Sequence, residues 1–573
     1  MPNVLDQMRA MSLAPSTKES FDLWLQGADA LEFLRTDSCQ DEIVIYAGVD
    51  HVFIHGILVP AALLKPLDID DLMGWNFNAY SSWGVSYAIG DPSSIRIELP
   101  LHDSGSKILG QGEKLVFARS FEGRLDQKHE FEILQKFVHI CNLYFVYERN
   151  AYCRLDERGD IEEVIRILTP TKKKDDLSGT IITFGRSVLD EYMALTETAL
   201  VRTFDFTRFR SGEFGGWSGT ERPSFKFEGD LFYRWAVAHG NASYFRGCQV
   251  LSQRMTKEEV YARYNRRWDE GREYASFIAH DWRHGIVKEI SCAPGATANY
   301  FVKSDLPFEL SPAFFRPEVL LKYKADLEKY HLDEWSISCR GTWYLETYGI
   351  NEAGQVHTYL VYLRHLPYEE QLYWKTFNEA PKAALSKRAI TTDFKGEWDL
   401  EYDPLESVKA VIRELVRKEV AWWNLRSERL IDQAHYPVTS SEAEWATELL
   451  NLDQLVVEGF DEKWLRQKAL ALGQQPDQSF RSLKLIEECL MAFGFEEDHA
   501  RTVTAPLHRL HELRSKLKGH ASGEEAVKIK REVLLQHKSY KDHFRALCAE
   551  CDEALHIILD AFEKAGKNSS AKG

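Results

Sequence analysis

His511-Glu512-Leu513-Arg514-Ser515-Lys516-Leu517-Lys518-Gly519-His520 is the stretch that decides how the C-terminal part of the chain folds. Val503, Leu507, Leu510 and Leu517 fall on one face at helical spacing, with Leu513 on its shoulder. Gly519 follows as the expected C-cap, because a left-handed residue closes a helix most easily as glycine. Arg514 then stands about one turn before the helix end and His520 just beyond it. A guanidinium and an imidazole at a helix tip, with Lys516 and Lys518 beside them, make a candidate site for a phosphate and for proton transfer.

Working outward, Phe480, Leu483, Ile486, Leu490 and Phe493 give an earlier amphipathic stripe that Gly494 closes. The central helix follows, with Pro506 expected near its start. Val527, Ile529, Val533 and Leu534 suggest a third helix. Phe544, Leu547, Cys551, Leu555, Ile558 and Phe562 form the clearest stripe of all. Four helices over 478–567 with short connections predict an all-α four-helix bundle.

On these residues the chain resembles the HEPN superfamily, helical domains with Arg-x(4–6)-His at the end of the second or third of four helices. Many members are metal-independent ribonucleases of bacterial defence and toxin systems. The match is Arg514…His520, with five residues between, and it covers about the last fifth of the chain. Ser515 stands where active members often carry Asn, Asp or His, and serine keeps a hydrogen-bonding group there. The resemblance implies Arg514 and His520 as catalytic residues, with Ser515 beside them. It also implies a homodimer through the bundle, with two copies of the motif meeting across a two-fold axis. RNA, such as tRNA or mRNA, would be the target, in abortive infection or as a toxin. Neither a metal nor another cofactor is expected.

The chemistry is self-consistent. RNA carries its own nucleophile, the 2′-hydroxyl next to the scissile phosphate, which DNA lacks. A histidine titrates near neutral pH and can take or give a proton, a role that falls to His520. Arg514 would hold the non-bridging oxygens while charge builds on phosphorus. Lys516 and Lys518 would guide the backbone in, and Lys528, Lys530 and Arg531 complete a basic cluster expected to bind RNA. Products would be a 2′,3′-cyclic phosphate and a 5′-hydroxyl.

Composition sets the frame. At 573 residues, 44% hydrophobic and 28% charged, the chain predicts a globular protein of several domains. No apolar run reaches the ~20 residues that span a bilayer, so no membrane partner is expected. The polar stretch Met1 to Ser20 has no apolar signal core, which makes cytoplasmic residence the default. Nine scattered cysteines are expected to stay reduced. A net charge of −17 argues against general nucleic-acid binding by the whole surface and leaves room for a local basic site.

The fold class predicted along the chain is α+β multidomain. Residues 1–168 read as an α+β N-terminal domain, with a helix over Phe21 to Leu34 and paired strands at Ile43 to Tyr46 and Val52 to Ile54. A half-buried strand is expected at Ile95 to Leu99 and a helix over His129 to Cys141. The Thr169 to Ser178 run has linker chemistry. Residues 179–400 read as a central α+β domain, with a helix over Ser187 to Leu200 and an open loop over Arg210 to Ser224. Residues 404–472 read as a helical connector, whose first helix continues through Trp422-Trp423. The polar tail from Lys564 is expected to be disordered. On this plan the N-terminal region senses a phage-derived trigger or restrains the bundle.

Other constellations have blander readings. Cys548 and Cys551 are spaced as Cys-x-x-Cys, but within a helical stripe and with no second pair, so they read as core thiols. His280 and His284 lack the glutamate of a zinc-protease motif. Asp393 and Lys395 have the spacing of a metal nuclease, without an identifiable upstream acid. Gly110-Gln111-Gly112 reads as a hairpin turn, and no phosphate-binding loop is present. The alternative to a ribonuclease is a non-catalytic protein whose bundle serves RNA binding or dimerisation.

Overall fold

The computed structural model describes residues 4–12, 17–25, 27–49, 52–75, 84–98, 106–121, 128–169, 179–209, 224–227, 230–238, 242–265, 270–397, 402–518 and 523–570. The chain is α+β, with sheets in its N-terminal and central parts and a run of helices at the C-terminal end. It divides into two compact units, one of residues 1–156 and 160–270, the other of 157–159 and 271–573.

The first unit is built on an eleven-stranded antiparallel sheet. Glu42–Val49 and Val52–Pro60 lie at its centre and pair with each other. Both are nearly continuous apolar runs, as strands buried on two faces must be. Ile43 and Ile45 point into a core with Phe137, Phe184 and Tyr192, whereas Val44, Ala47 and Val49 point into one with Phe33, Phe204 and Phe245. A register shift between Val44 and Tyr46 explains why Tyr46 shares the face of Ile45. Arg202 is fully buried in this sheet, where it pairs with Asp37 and donates to the carbonyls of Val44 and Leu34, both at 3.1 Å. A charge placed there needs all of those partners.

Several expectations change here. Ile161–Leu168 pairs with Gly179–Gly185, so the segment read as a linker joins two neighbouring strands, and strands from 1–168 and from 179–251 share one sheet. Residues 170–178 and 210–223 lie outside the described residues. The segment 128–133 is a strand paired with Val116–Phe121, and only Gln135–Ile140 is helical. The helix after Gly185 stops at Thr196; Glu197 takes a left-handed conformation (φ +55) and residues 198–209 become a sheet strand. The strand expected around Ile95 runs Asp91–Glu98, but Ile95 and Ile97 are exposed rather than half-buried. The N-terminal helix is split at Gly27 (φ +75) into Lys18–Leu25 and Ala28–Cys39.

The second unit opens with a six-stranded antiparallel sheet and a three-stranded one. Their core holds Phe315, Tyr323, Trp343 and Trp374. The Tyr323 hydroxyl accepts from Trp374 Nε1 and donates to Glu370, both at 2.8 Å. From Pro404 onward the regular elements are helices. Glu497–Lys518 and Tyr540–Ser570 are the central helices. The first packs on Glu442–Val456 and Ser482–Ala492, the second on Pro404–Arg417 and Gly523–His537, and the two pack on each other. Helices of 404–472 and of 478–567 therefore share one hydrophobic core. Trp445 stacks on Tyr540 at 4.6 Å and Trp422 on Phe562 at 4.7 Å.

Leu490, Phe544, Cys551 and Ile558 of the expected C-terminal stripes are fully buried, as is Cys548, whereas on the third expected helix Val533 is buried but Val527 and Leu534 are exposed. Pro506 is inside its helix, which starts at Glu497, rather than near the start. The Pro404 helix ends at Arg417, and Glu419 (φ +48) turns the chain, so Trp422 and Trp423 are not helical. The last helix continues to Ser570, past the point where disorder was expected. No helix among the described residues is long and apolar enough to cross a membrane.

Candidate functional site

Residues 511–518 lie on the last turns of Glu497–Lys518, along the flank that faces Glu442–Val456. Val503, Leu507 and Leu510 bury that helix, with Thr504 buried beside them, while Arg509 is exposed. Arg514 sits one turn before the helix end, with 31% of its side chain exposed. Its Nη2 lies 3.2 Å from Glu458 Oε1 and its Nε 3.8 Å from Asp453 Oδ2. Glu458 is held from its other side by Arg426, whose Nη1 donates to Oε2 at 2.6 Å.

Asp453 is the pivot. Its carboxylate is fully buried, and its carbonyl closes the helix by accepting from the N–H groups of Val457 and Glu458. Oδ1 lies 3.1 Å from Nδ1 of His511, a residue half exposed on the same flank as Arg514. Burial pushes the Asp453 carboxyl up from its ordinary value, while His511 and Arg514 pull it down. A cation and an imidazole thus rest on the two oxygens of one buried carboxylate.

Of the residues singled out from sequence, Ser515 is exposed on the helix. Lys516 pairs with Glu512 at 2.6 Å within its own helix. Lys518 is the last helical residue, while Gly519 and His520 lie outside the described residues. Lys528 and Arg531 are exposed on Gly523–His537. Lys530 reaches back to Glu442. Arg514, Lys516 and Lys530 all meet carboxylates, so the local basic charge is less than their sequence count suggests.

Asp453, Glu458 and His511 were not among the residues picked from sequence. Two signals pointed to His511 and Asp453. His511 and Arg514 are three apart on a helix and so share a face. Asp453 falls at helical spacing on the apolar face of Leu449, Leu452 and Val456, where a charge survives only if it is partnered.

The remaining constellations settle as follows. Cys548 and Cys551 are fully buried, and burial pushes the Cys551 thiol up to about 12. His280 lies on a strand and His284 in the turn after it, with Nδ1 at 2.7 Å from Asp281. Asp393 sits on a short helical turn and accepts from the Tyr359 hydroxyl at 3.0 Å. Gly110 and Gln111 end a short 3-10 turn rather than a hairpin turn, and the strand that follows, Glu113–Lys114, pairs with Val52–Pro60. Among the described residues, no three His, Cys, Asp or Glu side chains are grouped to hold a metal ion.

Comparison with known protein families, with characterised proteins and with solved structures finds no match to the chain.

Proposed function

We propose that the protein is a metal-independent endoribonuclease of bacterial antiphage defence, acting by abortive infection or as a toxin. The 2′-hydroxyl of RNA attacks the adjacent phosphate, His520 moves a proton, and Arg514 stabilises the charge developing on the non-bridging oxygens. Ser515 adds a hydroxyl beside the arginine. Lys516, Lys518, Lys528, Lys530 and Arg531 attract the backbone. Two copies join through the C-terminal helices, and the N-terminal region senses a phage-derived trigger or restrains the site.

What supports this reading is the Arg514…His520 spacing together with the setting of Arg514. The guanidinium is carried at the end of a long packed helix, partly exposed, with a half-exposed imidazole on the same flank. The test is His520→Ala in the full chain. Loss of RNA cleavage by ~10²-fold or more and loss of toxicity, with an unchanged thermal midpoint, is the expected result. Wild-type cleavage by that variant contradicts it.

A second reading has its own observation. Arg514 already meets Glu458 and Asp453, which is how a purely structural arginine at a helix contact is held. In that case the helices serve RNA binding or dimerisation without catalysis, and His520→Ala changes nothing.

A further inference from the structure

A small cavity in the first unit is built around one face of the Arg186–Thr196 helix. Val188, Glu191, Tyr192 and Leu195 recur at helical spacing, and all four line it. Arg154 and Leu155 come from the end of the Ala151–Leu155 strand. Ile140 and Cys141 come from where the Gln135–Ile140 helix ends, and Tyr264 closes the helix Lys257–Tyr264. The cavity measures about 220 Å³. Sites for drug-sized ligands start at ~300 Å³, so its occupant is smaller than those.

Opposite charges line this space without neutralising each other. Arg154 Nε donates to Glu162 Oε2 at 2.7 Å, whereas Glu191 has Arg263 at 4.0 Å and the Tyr264 phenol beside it. Both side chains keep some exposure, 31% for Arg154 and 23% for Glu191. Tyr192 is 1% exposed, and among the described residues its hydroxyl has no hydrogen-bond partner. A buried hydroxyl left unmet costs stability, and a ligand acceptor would meet it. The Cys141 thiol, which also lines the cavity, lies close enough to act on that phenol. Burial, with Glu191 nearby, pushes that thiol up to about 12, so the cavity presents a neutral thiol and not a nucleophile. Val188 is buried, while Ile140, Leu155 and Leu195 leave apolar surface open to water.

Each feature removes a class of ligand. A nucleotide is too large and would set its phosphate against Glu191. A simple carboxylic acid leaves Glu191 unmatched, and a simple amine leaves Arg154 unmatched. We propose that the cavity binds a free α-amino acid with an apolar side chain. Its carboxylate meets the Arg154 guanidinium and accepts from the Tyr192 hydroxyl, and its ammonium meets Glu191. Its side chain covers Val188 and Leu195. No covalent bond forms or breaks, and binding is reversible. It does not depend on the ribonuclease reading, since every lining residue belongs to the first unit.

The experiment is calorimetric titration of the full-length protein with L-leucine, L-valine and L-methionine, then with N-acetyl-leucine and leucinamide. At least one of the free amino acids is expected to bind with a Kd of ~1 mM or tighter. The two blocked forms each keep a single charge and are expected to bind at least ~10-fold more weakly than leucine. Glu191→Gln and Arg154→Gln are expected to weaken leucine binding ~10-fold or more, with the ligand-free thermal midpoint unchanged. Tyr192→Phe removes a hydroxyl that has no protein partner, so it is expected to keep or raise that midpoint and still to weaken leucine binding. Should a charge variant fail to fold, the blocked ligands on the wild-type protein decide alone. No binding of any of the three amino acids at ~10 mM overturns the proposal. So does equal affinity for leucine and either blocked form, or wild-type leucine affinity in both charge variants.

Discussion

Glu487 is a buried carboxylate on the Ser482–Ala492 helix that accepts from Thr504 Oγ1 and His508 Nε2 at 2.9 Å and from Lys484 Nζ at 2.7 Å. Burial alone would raise its pKa, but bonds from His508, Lys484 and Thr504 outweigh burial and hold it at about 2. A folded value below the unfolded one contributes stability that is fully present above the unfolded pKa and is lost as pH falls from about 5 toward 2. The size of that contribution is roughly 3 kcal/mol. Glu487→Gln is therefore expected to lower the urea midpoint at pH 7 and to show a flatter fall of that midpoint through the acid range. A midpoint that tracks the wild type at every pH contradicts the assignment.

At the scale of elements, the Glu497–Lys518 helix shows how packing overrides local propensity. Pro506 removes a backbone donor and costs ~3 kcal/mol in a helix interior. Yet Val503, Leu507 and Leu510 on either side of it are buried, and the helix runs on. Leu507→Ala, a fully buried position in the shared core, is expected to destabilise by roughly 2–5 kcal/mol in denaturant titration. A loss under 1 kcal/mol contradicts the packing described.

The same helix shows what the sequence could and could not convey. Its apolar spacing announced a helix and its buried face, as did the stripes at Leu490 and Phe544, because 3.6-residue periodicity is a local property. Which helix covers that face is not local, so the pairing of Trp445 with Tyr540, which joins 404–472 to 478–567, was not legible. Nor were the ends. Glu197 and Glu419 turn the chain in left-handed conformations without a glycine to announce them. Arg514 could be singled out by its place on the helix, but its carboxylate partners come from a helix and the turn after it, more than fifty residues away, which spacing cannot reveal.

At the scale of the whole molecule, buried imidazoles make the second unit acid-sensitive. Burial, helped by Arg388, lowers His357 to about 4, and burial, helped by His537 and Arg509, lowers His543 to about 4. Below the ordinary histidine value of 6.5 the unfolded chain takes protons that the folded chain refuses. Stability is then lost as pH falls from 6.5 toward 4, by roughly 3 kcal/mol for each group at the acid end. His543→Gln is expected to flatten the drop of the thermal midpoint between pH 6.5 and 4.5. An unchanged slope contradicts the neutral buried state of His543. The net charge of −17 also bears on the whole molecule, because it repels a polyanion except where cations are gathered. RNA binding is accordingly expected to concentrate at the end of the Glu497–Lys518 helix and to weaken steeply with salt.

The central claim is tested most directly by incubating the full-length wild-type protein with total RNA in excess EDTA and determining the end groups of the fragments. The account predicts cleavage that leaves 2′,3′-cyclic phosphate and 5′-hydroxyl ends and that disappears with His520→Ala. Fragments bearing 3′-hydroxyl and 5′-phosphate ends, cleavage abolished by the chelator, or intact RNA would contradict it.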